Sequence, residues 1–122
     1  MLSNLLLLTL GGALGAVCRF WISLVWSKRK PTFPYPTLTV NLIGSAILGG
    51  LFGMLDPDIT AIIDAPILLF AGVGFCGAFT TFSSFCTETI GLVMDSPGRA
   101  LLYVFLTVGG SLLAFSIPFL AL

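Results

Sequence analysis

The hydrophobic pattern divides the chain into four long apolar segments, at about residues 5–26, 37–55, 67–94 and 99–122, parted by three short polar stretches. A hydrocarbon core takes roughly 20 apolar residues per crossing helix. The pattern therefore predicts an all-α membrane protein with four transmembrane helices in a single domain over residues 1–122. Proline marks all three polar stretches: Pro31, Pro34 and Pro36 close the first, Ser27 to Pro36, Pro57 and Pro66 lie in the second, Asp56 to Pro66, and Pro97 in the third, Asp95 to Gly98. Proline lacks the donor a helix interior needs, so Ser27 to Pro36 reads as a true break. Asp56, Asp58 and Asp64 read as a solvated turn and not a calcium loop, because the spacing of an EF-hand is missing. No basic stretch precedes the first segment and a full-length span follows, so it is expected to stay as a helix and not to be cleaved as a leader.

The third segment departs from an ordinary membrane helix. It is longer than one crossing requires, and Gly72, Gly74 and Gly77 fall close together in it. Glycine weakens a helix by about 1 kcal/mol relative to alanine, so the cluster marks an expected unwinding point. Unwound backbone in a membrane survives only where protein or a hydrophilic cavity satisfies its polar groups. Two half-helices meeting near mid-membrane are the expected result. Phe79, Thr80, Thr81, Phe82, Ser83, Ser84 and Phe85 follow, then Glu88 with no charged neighbour in sequence.

Polar residues elsewhere fit this centre. Thr39 and Asn41 stand near the start of the second segment, and an amide in hydrocarbon needs a partner or a cavity. Tyr103, Thr107 and Ser111 recur every four residues in the fourth segment, which puts three hydroxyls on one helix face. Each can back-bond to its own helix or line a hydrated path. Arg19 either snorkels to the interface or draws anions at a vestibule. Gly11, Gly12 and Gly15, and again Gly44, Ser45, Gly49, Gly50 and Gly53, supply small-residue faces for close helix contact.

Composition narrows the function. Charged residues are 8% of the chain and the formal net charge is zero, which removes any basic face for nucleic acid. There is no histidine, and Cys18, Cys76 and Cys86 lie inside apolar segments without metal-type spacing. No nucleophile–base pair or metal constellation is visible, so an enzyme is not expected. The Phe82 and Phe85 rings share a helix face. They either pack or turn their electropositive edges to a narrow path. There, hydroxyls of Thr80, Thr81, Ser83 and Ser84 and the Asn41 amide can donate to a dehydrated anion. Conduction needs such binding to be strong enough to enter and weak enough to leave. Carbonyls at the break, those of Gly77 and Thr80, are candidates to coordinate a monovalent cation such as sodium.

These residues resemble the Fluc (CrcB-type) fluoride channels of microbial membranes. The matching pieces are Gly11-Gly12-Ala13-Leu14-Gly15-Ala16 through Arg19, Thr37-Leu38-Thr39-Val40-Asn41-Leu42-Ile43-Gly44, and Gly74-Phe75-Cys76-Gly77-Ala78-Phe79-Thr80-Thr81-Phe82-Ser83-Ser84-Phe85. The last is the specific one, and the resemblance covers nearly the whole chain. It implies an antiparallel, dual-topology dimer with two narrow pores and passive fluoride export through the cell membrane. By position it puts Phe82 and Phe85 in an aromatic box with Asn41 beside them. It gives the Gly77 and Thr80 carbonyls to a structural Na+ that is not transported. Thr39, Ser84, Glu88, Tyr103, Thr107 and Ser111 match a polar track, and Arg19 the family's first-helix arginine. Departures from the family pattern are Ala78 for a second glycine, Phe20 for tyrosine or tryptophan, and Ser84 for threonine.

Two other classes compete. A small four-helix multidrug or cation exporter typically relies on an acid in its first helix, where this chain has Arg19 and no acid. A structural subunit of a larger membrane complex would not need the Phe-Ser-Thr run. Orientation is in tension with the dimer. Lys28, Arg29, Lys30 and Arg99 border loops on one side, opposite both termini, and short basic loops stay cytoplasmic. A homodimer with both orientations is the expectation, and a heterodimer with a paralogous chain the alternative.

Overall fold

The computed structural model describes residues 1–28, 32–55 and 65–122. Four spans emerge, each long and apolar enough to cross a membrane: Leu2–Ser27, Tyr35–Leu55, Leu68–Asp95 and Pro97–Ala121. The first, second and fourth are single helices, α1 (Leu2–Ser27), α2 (Tyr35–Leu55) and α5 (Pro97–Ala121). Among the described residues no strand forms. The aspartates expected to form a solvated turn, Asp56, Asp58 and Asp64, lie outside the described residues, as do Arg29 and Lys30.

Proline sets two helix starts. Pro97 stands in the first turn of α5, where its missing N–H would have had no helical acceptor anyway. Pro36 does the same in α2, so the first break is shorter than Ser27 to Pro36 and ends before Tyr35.

The third span changes winding along its length. Leu68–Cys76 is a π-helix, Gly77–Phe79 is a turn of α-helix (α3), and α4 runs Ser83–Asp95. Between α3 and α4 the backbone leaves helical geometry, with Thr80 extended at φ −82°, ψ 163°. The glycine cluster is thus wound, contrary to its expected role as the unwinding point, and the interruption falls just after it.

Packing explains what the glycines do instead. α1 lies against the π-helix and α3, while α2 lies chiefly against α5. A Cβ on Gly11 would fall on the Phe70 carbonyl, and one on Gly15 on the Phe75 carbonyl. From the other side, a Cβ on Gly74 would stand 3.0 Å from the Leu8 carbonyl oxygen. Without side chains the two backbones meet directly, the usual use of small residues between membrane helices. The buried core is slight: Phe33, Leu92, Ala100 and Tyr103 cluster with Leu38 and Phe85 against them. Many large apolar side chains face outward, Phe105 and Leu101 among them. That is the expected surface where lipid or other protein, not water, covers the helices.

Candidate functional site

The interruption at Thr80–Phe82 has named causes. Thr80 still closes the helix behind it, its N–H reaching the Cys76 carbonyl at 3.0 Å and its hydroxyl the same oxygen at 2.8 Å. Thr81 does not continue the pattern. Its N–H donates to Asn41 Oδ1 at 2.8 Å, and Asn41 Nδ2 donates back to the Thr81 carbonyl at 3.0 Å. The Gly77 carbonyl thereby loses its helical donor. Asn41 is buried at 9% exposure, so this paired bond satisfies an amide that would otherwise be costly there. Arg19 Nη1 reaches the Thr80 carbonyl at 3.5 Å. The half-buried Arg19 guanidinium thus lies beside the interruption. On the far side, Thr81 Oγ1 accepts from the Ser84 N–H at 3.2 Å and caps the start of α4.

A cleft of about 720 Å³ opens beside the interruption. Asn41, Gly77, Thr80 and Thr81 border it, together with Phe82 and Phe85. Thr107 and Ser111 of α5 border it from the opposite side. The Thr107 side chain is buried, and its hydroxyl has no hydrogen-bond partner among the described residues. Phe82 and Phe85 stand with centroids 5.9 Å apart and planes at 40°, and Phe82 is 76% exposed. In the single chain, then, these rings are not a closed box.

Glu88 sits one helix turn beyond Phe85. Thr37 Oγ1 donates to its Oε1 at 3.0 Å and Tyr103 O–H to its Oε2 at 2.9 Å. Hydrogen bonds to a charged group contribute about 1.5–3 kcal/mol each, so the carboxylate is held by α2 and α5 together. Glu88 also borders a second cleft, of about 340 Å³, with Phe33, Pro34 and Pro36. The Tyr103 ring packs on Phe85 at 5.3 Å and, edge-on, on Phe33 at 5.5 Å. Rings and polar groups therefore connect the large cleft to the small one past Phe85, Tyr103 and Glu88.

Most residues singled out from the sequence gather here, but not all. Ser83 is exposed, its hydroxyl 3.5 Å from Thr81 Oγ1. Thr39 and Ser84 are half-buried and border neither cleft. Sequence reasoning gave Thr37 no role of its own. Its signal was the spacing to Asn41, i and i+4 on one face of α2, the face that both residues bury.

Comparison with known proteins identifies the family. The family model "CrcB-like protein, Camphor Resistance (CrcB)" matches residues 6–119. The chain belongs to the CrcB family. Relatives within it include "Fluoride-specific ion channel FluC 1" of Halalkalibacterium halodurans, 40% identical over 120 residues, 95% of this chain and 94% of the relative. The protein of Gloeobacter violaceus named "Fluoride-specific ion channel FluC" is 44% identical over 95 residues, 76% of this chain and 74% of the relative. One from Nocardia farcinica, "Fluoride-specific ion channel FluC 1", is 46% identical over 110 residues, 88% of this chain and 72% of the relative. The CrcB match spans all four membrane helices and the whole interruption.

Proposed function

We propose that this chain is a fluoride-specific ion channel of the cell membrane that lets fluoride leave passively and so lowers its cytoplasmic level. The observation that carries the reading is the likeness to the fluoride-specific ion channel of Halalkalibacterium halodurans, at 40% identity across nearly the full length of both chains. The geometry supplies a mechanism. A small anion loses its hydration when it enters a narrow apolar path, and that loss must be offset by donors that do not hold it tightly. Thr107, whose hydroxyl has no hydrogen-bond partner among the described residues, Ser111 and Asn41 stand at the large cleft. Ring edges of Phe82 and Phe85 carry positive partial charge and stand next along the line toward Glu88, Thr37 and Tyr103. Ser83, Ser84 and Thr39 are flanking members of that track, and Arg19 a fixed positive charge behind it.

The reading includes an antiparallel pair of chains. What supports it is the open cleft, with exposed Phe82 and an open Gly77 at which an added Cβ would meet nothing within 4 Å. A paralogous chain in the partner position is the alternative assembly. Sodium as a structural ion fits the residues present. The Gly77 carbonyl has given up its helical donor to Asn41, and the Thr80 carbonyl has only the long contact to Arg19 among the side-chain bonds at the interruption. Gly77 and Thr80 would hold the ion through backbone oxygens, and its charge would pin the interruption. The exporter alternative is weaker, since α1 has no acid and its one charged side chain before Lys28 is Arg19. The test is efflux from liposomes containing the purified protein. Fluoride leaves while chloride stays on this reading, and rapid chloride release without fluoride release contradicts it.

A further inference from the structure

The interruption of the third span is not explained by its own sequence. The glycine cluster before it is wound, and no proline lies between Gly72 and Asp95. Threonine and phenylalanine lower helix propensity by less than about 0.7 kcal/mol each, too little to stop a helix that resumes at Ser83. A wound 80–82 would instead give Thr81 N–H to the Gly77 carbonyl and the Thr81 carbonyl to the Phe85 N–H. Both Thr81 groups are taken by one side chain on another helix, through the 2.8 Å and 3.0 Å bonds to Asn41. Asn41 presents an acceptor and a donor in one plane, the same pair a neighbouring strand would offer an extended residue.

We infer that Asn41 is a positioning residue: its amide, by clamping both backbone groups of Thr81, holds the third span open at Thr80–Phe82, frees the Gly77 carbonyl and sets where the Phe82 and Phe85 rings point. Three observations meet in this. Asn41 is buried and already doubly bonded, with one N–H left for any passing ligand. The Gly44 and Cys76 contact one turn away, Cys76 Sγ to the Gly44 carbonyl at 3.6 Å, fixes α2 against the end of the π-helix, so the amide is held in register. The Thr81 hydroxyl caps α4 only while residue 81 stays out of the helix. An α2 side chain thus determines the geometry of a third-span element that carries the rings. The inference rests on the channel reading for its flux arm alone.

Asn41→Leu tests it, keeping near-equal volume without either hydrogen-bonding group. The conformation of residues 80–82 is read from carbon-13 backbone shifts of the full-length protein in lipid, and fluoride flux from liposomes. The expected result is a change at 80–82 from extended to helical shifts, with flux down at least tenfold. Adding Thr81→Pro should reverse the change. Proline has no N–H to close on Gly77 and pushes the residue before it to extended backbone, which Thr80 already adopts. If Asn41→Leu fails to fold, the same shifts are read in Asn41→Ala, where helical shifts at 80–82 support the clamp and extended shifts contradict it. Extended shifts that persist in Asn41→Leu overturn the inference, and if flux still falls the amide acts on the anion directly. A parent protein with no fluoride flux overturns the channel reading and leaves the shift result to judge the clamp.

Discussion

At the scale of single residues, what each polar group does follows from who satisfies it. Glu88 holds its place because Thr37 and Tyr103 both donate to it. Thr107 differs in being buried with no hydrogen-bond partner for its hydroxyl among the described residues. The two rings carry the sharpest prediction here. Phe82→Ile and Phe85→Ile keep apolar bulk and remove the positive edge. Each is expected to lower fluoride flux at least tenfold while the protein elutes as the parent does on gel filtration. Two variants that conduct like the parent would make the rings packing residues. Their chemistry was legible in the sequence because Phe82, Phe85 and the hydroxyls between them are contiguous. The role of Thr37 was not, since its partner Glu88 is 51 residues away in sequence and one threonine near a helix start has many uses.

The elements show where local propensity stops informing. Four apolar stretches bounded by proline and aspartate predicted four spans, and the helices begin and end within a few residues of them. The glycines' low helix propensity predicts an unwinding point flanked by Gly77 and Thr80, whereas the glycines are wound and the backbone leaves helical geometry at Thr80. Packing against α1 overrode that: Gly11, Gly15 and Gly74 bring two backbones together, and Gly72 and Gly74 stay wound in the π-helix. The site of the interruption depends instead on Asn41, from another helix, which a propensity argument along one strand of sequence does not see. The glycine reading is checked by Gly15→Ala. Its added Cβ would fall on the Phe75 carbonyl, a backbone atom with nowhere to go. Overpacking of this kind costs about 1–3 kcal/mol, so thermal unfolding of the detergent-solubilised protein should shift clearly downward. Gly77→Ala, where nothing stands within 4 Å in the chain, should show no comparable loss in the separated chain. Equal melting of Gly15→Ala and parent would mean that α1 and the π-helix are not in backbone contact.

At the scale of the whole molecule, the cleft beside the interruption is open and one ring of the pair is mostly exposed. The proposed antiparallel pair needs insertion in both orientations, yet Lys28, Arg29, Lys30 and Arg99 bias one. Insertion both ways can be read directly. A single cysteine is placed within residues 56–64, in a chain with Cys18, Cys76 and Cys86 replaced, and labelled from each side of the cell membrane. Labelling from both sides is expected for one chain pairing with itself. Labelling from one side alone would assign a fixed topology and a paralogous partner. Conduction of fluoride is read most directly as the initial rate of fluoride appearance outside liposomes loaded with equal fluoride and chloride and bearing the purified chain. Rapid fluoride release, proportional to protein, is expected, with chloride retained over the same interval. Vesicles that hold their fluoride as protein-free ones do, or that release chloride as readily, would contradict it.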